Sequence, residues 1–188
     1  MADSVWLIRH AATEWSKSGQ HTGRTDMPLL DEGRDAARAL PERLKGHDFA
    51  RVLVSPLSRA RETAELAGLG ERMELRDDLM EWDYGDYEGL TTKRIREDRP
   101  EWYLWRDGVP NGETTEHVAA RADRIIAEVD GVDGDVALVA HGHVLRMLGA
   151  RWVGQPGTFG GHLHLGTAAI CLLGWERDVR VIERWNQT

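Results

Sequence analysis

The sequence predicts an α/β fold, a three-layer α/β/α sandwich built on a mixed, mostly parallel sheet. Three observations carry that expectation. Short runs that are apolar at every position recur at Val5 to Ile8, Val52 to Val54 and Val136 to Ala140, and continuous apolar runs belong to strands covered on both faces. Each run leads, directly or through a polar loop, into a segment with helical periodicity or helix-start signals. The last two runs, Ala168 to Leu173 and Val179 to Trp185, are separated only by the turn-like Gly174 to Asp178. They should pair as an antiparallel hairpin and so make the sheet mixed.

Taken in order, the first strand ends abruptly in Arg9-His10, followed by a turn at Ala11 to Glu14 and a polar loop from Ser16 to Thr25. Asp31 is placed to cap a helix running to about Lys45. Val52-Leu53-Val54 is the second strand, and Ser55-Pro56-Leu57-Ser58-Arg59 turns it into a helix over Ala60 to Ala67. Leu75 to Met80 reads as a possible strand. Glu81 to Gly89 mixes acids, aromatics and two glycines and suits an ordered functional loop. Short helices follow at Thr92 to Asp98 and Pro100 to Trp105, with a turn cluster at Gly108 to Gly112. From Thr114 to Val129, the residues Val118, Ala122, Ile125, Ile126 and Val129 share one face, the mark of a helix packed on a sheet. Val136 to Ala140 is the third buried strand. It runs through His141-Gly142-His143 into a helix from Val144 to Val153, whose N-terminus suits an anion.

Composition bounds the function. A chain of 188 residues is expected to form one domain, 1–188, able to bury roughly 70% of its unfolded surface. The formal net charge of −8, with Asp and Glu outnumbering Lys and Arg by 32 to 24, disfavours nucleic acid and anionic membranes as partners. The single cysteine, Cys171, lies in an apolar run and reads as a buried thiol. No stretch resembles a leader or a membrane span, so a cytoplasmic location is expected. His162 and His164, two apart as on one face of a strand, have the spacing that starts a zinc site, but no third ligand accompanies them.

The chemistry concentrates at the strand ends. Three apolar strands end in Arg9-His10, in the Arg59 turn and in His141-Gly142-His143, and ligands of open α/β sheets bind beyond the carboxyl ends of strands. Two guanidiniums, two imidazoles and a helix N-terminus match a tetrahedral, doubly charged phosphoryl group. The loop carrying Glu81 is available to close over them. Groups for discrimination at the mouth of such a pocket are His21, Trp82, Trp105, Arg106, Glu113 and His143. Arg106 or Lys17 would receive a distal phosphate.

Four stretches carry a family resemblance: Leu7 to Thr13, Ser55 to Ala64, Glu81 to Gly85 and Val139 to His143. Together and in this order they resemble the successive motifs of the histidine phosphatase superfamily, phosphoglycerate mutase-like branch, over nearly the whole chain. Glu14 to Gly23, Glu81 to Gly89 and Trp105 to Gly108 are most similar to the sedoheptulose bisphosphatase and acid phosphatase members. The resemblance implies a phosphoglycerate mutase-like fold, with His10 as the nucleophile that becomes a phosphohistidine. It implies that Arg9, Arg59 and His141 hold the phosphoryl oxygens, that Glu81 protonates the leaving alcohol, and that Thr22, Gly23 and Gly142 add phosphate contacts. Ser16 stands where the mutases commonly carry Asn. No metal or other cofactor is implied.

Two departures matter. Ala11 replaces the usual Gly after the nucleophile, which puts a methyl group where backbone approaches phosphate but retains the N–H. Trp82 replaces the Arg that mutases carry after the acid, and losing that cation favours hydrolysis over mutase chemistry. The expected function is a metal-independent phosphatase acting on a small phosphorylated substrate, a sugar phosphate or bisphosphate, as a monomer or homodimer. A phosphoglycerate mutase and a protein phosphohistidine phosphatase are the enzymatic alternatives. An inactive module binding a phosphorylated ligand is the alternative of another class.

Overall fold

Alternation along the strands splits the apolar residues between two cores. In a computed structural model describing residues 2–188, β1 (Ala2–Arg9), β2 (Phe49–Val54), β3 (Met73–Leu75), β4 (Gly134–Ala140), β5 (Ile170–Glu176) and β6 (Val179–Gln187) form one sheet. Their order is β3-β2-β4-β1-β5-β6. The first four of these positions are parallel, while β5 runs antiparallel to β1 and pairs with β6 as a hairpin. The mixed α/β sandwich read from the sequence is the fold observed.

Val5, Leu7, Leu53, Val136, Leu138, Cys171 and Leu173 pack on one face beneath α7 (Thr115–Asp130) and α8 (Gly142–Trp152). Trp6, Ile8, Val52, Val54, Ala137, Val139, Ile170 and Leu172 pack on the other. There they meet Ala37 of α2 (Asp31–Arg38), Leu40 of α3 (Leu40–Arg43) and Ala60 and Ala64 of α4 (Ser58–Leu66). Each fully buried Leu, Ile or Val contributes roughly 2 kcal/mol by leaving water, so a one-residue register slip, which exchanges the faces, is strongly disfavoured.

Register is also what gathers the site. Arg9 lies opposite Ala140, and Ile8 and Val54 both lie opposite Val139. The carboxyl ends of β1, β2 and β4 are therefore level, and the residues that follow them, His10, Ser55 and His141, emerge side by side.

Element boundaries differ from the sequence reading where local chemistry intervenes. The expected helix from Asp31 to Lys45 is two helices, because Pro41 has no N–H to continue the first and its ring would strike the preceding turn. Asp31 lies in the first turn of α2 rather than capping it; the N-cap is Leu30, without a side-chain bond. The loop after Ser16 begins inside a short helix, α1 (Glu14–Ser18), closed by a capping box between Thr13 and Ser16. Leu75 to Met80 is not a strand. The strand is Met73–Leu75, and a 3-10 turn follows at Asp77–Leu79. After α5 (Thr92–Asp98), the second short helix is α6, Leu104–Asp107, rather than Pro100 to Trp105. His162 and His164 share no strand: His162 ends a 3-10 helix, and both are exposed. No helix among the described residues is long and apolar enough to cross a membrane.

Candidate active site

A cavity of about 270 Å³ opens at the level strand ends, lined by Arg9, His10, Ser16, His21, Thr22, Glu81, Gly142 and His143 together with Trp15, Gln20, Tyr84, Thr92, Arg146 and Leu165. β1 delivers Arg9 and His10. Arg9 is anchored by its Nη1 donating to Leu165 O at 2.6 Å, while its buried Nε has no protein partner.

His10 is oriented by its own backbone neighbourhood. Its amide donates to Ala140 O at 2.8 Å, continuing the β1/β4 ladder, and its Nδ1 stands 2.7 Å from Ala11 O. A carbonyl oxygen only accepts, so Nδ1 carries the hydrogen and Nε2 keeps its lone pair. Burial, then the charges of Arg9 and Arg59, push the His10 imidazole well below its usual pKa and keep it neutral.

Arg59 and His141 form a buried pair beside His10 rather than part of the cavity lining. Arg59 Nε donates to His141 Nδ1 at 3.1 Å, and the guanidinium also donates to the carbonyls of Thr22, Gly23 and Thr25. With Nδ1 accepting, the neutral His141 carries its hydrogen on Nε2, 2.7 Å from Ser55 Oγ. Burial, followed by the Arg59 charge, lowers the His141 pKa strongly. The His10 and His141 rings are 5.1 Å apart between centroids. Arg59 thus ties the loop after α1 to the end of β4.

Glu81 is buried at the N-terminus of α8. Its Oε1 accepts from the amides of Trp82 (2.9 Å) and Val144 (3.0 Å), and its Oε2 accepts from His143 N (3.0 Å). His141, the N-cap residue of α8, makes no side-chain capping bond. A carboxyl group from the distant 81–89 loop does the capping instead.

His143 Nδ1 is 2.5 Å from Tyr84 Oη, and its ring packs on Trp105 at 5.6 Å. Burial, then the Arg146 charge, pushes His143 well below its usual pKa, and burial lowers His21 to about 4. The His21 ring leans on Tyr84 at 4.8 Å.

Several residues expected at the substrate have other work. Ala11 N–H donates to Thr63 Oγ1 at 3.0 Å, and its methyl lies in the core with Ile8 and Leu29, so neither faces the cavity. Gly23 is away from the cavity, with its amide held by Glu88 Oε1 at 2.8 Å and no room for a Cβ against Trp82 O. Ser16 lines the cavity, but its hydroxyl closes the cap of α1. Trp82 and Trp105 are buried wall: the Trp82 indole donates to Glu113 O, and Trp105 backs His143. Glu113 is bound by Arg121 at 2.7 Å. Arg106 is an exposed residue of α6 paired with Asp107 at 2.7 Å, and Lys17 is an exposed partner of Glu32. Neither cation lines the cavity.

The sequence reading passed over the cation that does. Arg146 is one helical turn beyond His143, on the same face of α8, held by the carbonyls of Gly160 (3.0 Å) and Gly161 (3.1 Å) and stacked 5.0 Å over Trp105. The three-residue spacing from His143 was a usable signal. Leu165, Gln20 and Thr92 carried none.

Comparison with known proteins places this arrangement. The chain is 43% identical over 179 residues to an acid phosphatase of Mycobacterium tuberculosis, covering 93% of this chain and 87% of that one. It is 38% identical to the sedoheptulose 1,7-bisphosphatase of Saccharomyces cerevisiae, over 79% of this chain and 66% of the yeast protein. A solved structure from Mycobacterium tuberculosis superposes with a TM-score of 0.94 at 39% identity, over 100% of this chain and 99% of that one. The sequence model of the histidine phosphatase superfamily (branch 1) matches residues 5–188. On a match of that extent, with relatives named as phosphatases, the chain belongs to the histidine phosphatase superfamily, branch 1, and is a phosphatase.

Proposed function

We propose that this phosphatase hydrolyses a small phosphorylated metabolite, a sugar phosphate or bisphosphate, through a phosphohistidine on His10. The observation that carries the reading is the Nδ1–H of His10 fixed on Ala11 O, which turns a neutral Nε2 lone pair toward a cavity that also holds Arg9 and Glu81. In the first step Nε2 forms the N–P bond as the P–O ester bond breaks, and Glu81 gives its proton to the leaving alcohol. Arg9 and the start of α8 at Gly142 stabilise the equatorial oxygens, with Arg59 and His141 supporting them from behind. In the second step water attacks phosphorus and gives a proton to Glu81, the N–P bond breaks with its electron pair returning to His10 Nε2, and inorganic phosphate leaves. The residues needed are all side chains of this chain, and no cofactor is part of the proposal.

The leaving-group end of the cavity favours a polyhydroxylated alcohol. Gln20, His21, Thr92 and His143 offer hydrogen bonds and Trp15 an aromatic face. Arg146 adds a second cation and favours a substrate with a further anionic group. Alkaline quenching during turnover should trap about one phosphate per active site on the wild-type protein, and His10→Ala should trap none and lose at least 10³-fold in rate. Wild-type turnover by His10→Ala would end this assignment.

A further inference from the structure

The hydrogen-bond partners of His10 and His141 fix which nitrogen of each ring carries the proton. For His143 the partner is a phenol, and the same reasoning applies. Tyr84 is almost fully buried, and burial raises its pKa well above the ordinary value, so it keeps its proton. That O–H has one acceptor among the described residues, His143 Nδ1 at 2.5 Å. Were Nδ1 the donor, the hydroxyl hydrogen would have no acceptor among the described residues, at the cost of an unsatisfied polar group.

We propose that Tyr84 is a positioning residue that sets His143 in the Nε2–H tautomer, making it a fixed neutral donor that selects alcohols bearing an oxygen next to the ester carbon. The inference rests on the phosphatase reading above and adds a specificity rule to it. His143 Nε2 makes no bond to the described residues, and the ring lines the cavity with its side chain 22% exposed. Trp105 supports the ring from behind. Glu81 Oε2 lies 3.9 Å from His143 Nδ1, so the imidazole stands beside the acid that serves the leaving oxygen. An Nε2–H there meets the carbon chain of the alcohol rather than the phosphoryl group. A hydroxyl on the neighbouring carbon would accept from it; a hydrocarbon would leave the donor dry and unpaired.

The tautomer is read directly from long-range ¹⁵N–¹H correlations of the protein labelled with [¹⁵N]histidine at neutral pH, with His143→Gln used to assign the His143 signals. A pyrrole-type Nε2 and a pyridine-type Nδ1 are expected, relaxing toward a tautomer mixture in Tyr84→Phe. A protonated Nδ1 in the wild-type protein would overturn the proposal. The specificity rule is tested with glycerol 2-phosphate against isopropyl phosphate, the same skeleton without its hydroxyls. Tyr84→Phe should lower kcat/KM on glycerol 2-phosphate about tenfold, the scale of one hydrogen bond, and change isopropyl phosphate less than about twofold. In the His143→Gln background, where the amide N–H needs no tautomer, Tyr84→Phe should add nothing. Equal losses on both substrates would make Tyr84 merely structural and sink the rule. The nitrogen signals need no turnover, so failure of the wild-type enzyme to release phosphate would count against the phosphatase reading while the tautomer assignment is judged on its own.

Discussion

Arg106 and Arg146 show how little a residue type says without its surroundings. On sequence Arg106 is the basic residue of an aromatic segment, but on α6 its guanidinium points to solvent and is neutralised by Asp107. Arg146, on α8, has a buried stem, two carbonyl anchors and the Trp105 face beneath it, so its remaining N–H groups are pre-organised toward the cavity. Its burial lowers its pKa from the usual guanidinium value without discharging it at neutral pH. Arg146→Ala is expected to cut kcat/KM for a sugar bisphosphate roughly tenfold to 100-fold more than for the matching monophosphate. Arg106→Ala should leave that ratio unchanged within about twofold. Comparing the two variants on one substrate pair decides it, and the opposite pattern would restore Arg106 as the distal contact. Ala11 makes the same point in reverse: its methyl is core packing beside Leu29, so its departure from the expected Gly does not crowd His10.

At the scale of elements, the groups proposed for binding and catalysis meet at the N-terminus of α8. Gly142 opens the helix directly beneath Arg9: a Cβ there would come within 3.2 Å of Arg9 Cζ and Nε. Arg9 has limited room to yield, since its Nε is buried and its Nη1 is anchored on Leu165 O. Gly142→Ala should therefore leave the helix as stable or slightly more so, by up to about 1 kcal/mol of helix propensity, while displacing the guanidinium. A fall of about tenfold or more in kcat/KM with an unchanged or raised unfolding midpoint is expected, because small displacements of a phosphate-holding group are expensive. Unchanged activity would show that Arg9 is not positioned by this contact. Glu81 belongs to the same junction. Its carboxyl group caps α8 through His143 N and Val144 N, so the acid proposed for the leaving group is placed by the helix whose first residue lines the cavity.

For the molecule as a whole, a set of neutral imidazoles held in a protein interior makes stability depend on pH. His21 has a folded pKa of about 4 against 6.5 in an unfolded chain, and His10, His141 and His143 are shifted in the same direction by burial. Between those values the unfolded chain binds protons that the folded one does not. Stability is thus fully present above about pH 6.5 and is lost as pH falls toward 4, by up to about 1.4 kcal/mol per pH unit for each such group. Urea midpoints measured at pH 7.5, 6.0 and 5.0 should fall in that order, and His21→Gln should flatten the slope. A midpoint independent of pH across this range would contradict the buried, neutral state of the cluster. The same burial suits the nucleophilic role proposed for His10, since only a neutral imidazole has a lone pair with which to attack phosphorus.

The α/β alternation, the buried strands, the terminal hairpin and the residues at three strand ends were legible in the sequence, because each depends on local pattern: a continuous apolar run, a turn, a cation just after a strand. His10 and Arg9 were legible for the same reason, lying where pattern breaks abruptly, and Glu81 through the family resemblance of its loop. The register that levels β1, β2 and β4 was not, since it depends on which strands pair across separations as long as that from Ala2 to Gly134. Nor were the partners of each group. The amide of Ala11 goes to Thr63, Gly23 to Glu88, Trp82 into the wall and Arg59 onto three carbonyls of the 22–25 loop. Residue type and spacing determine which chemistry the chain can offer. Which nitrogen carries a proton, which arginine faces the cavity and which is spent on a neighbour are decided by tertiary packing, because a hydrogen bond is set by distance and direction in space rather than by position along the chain.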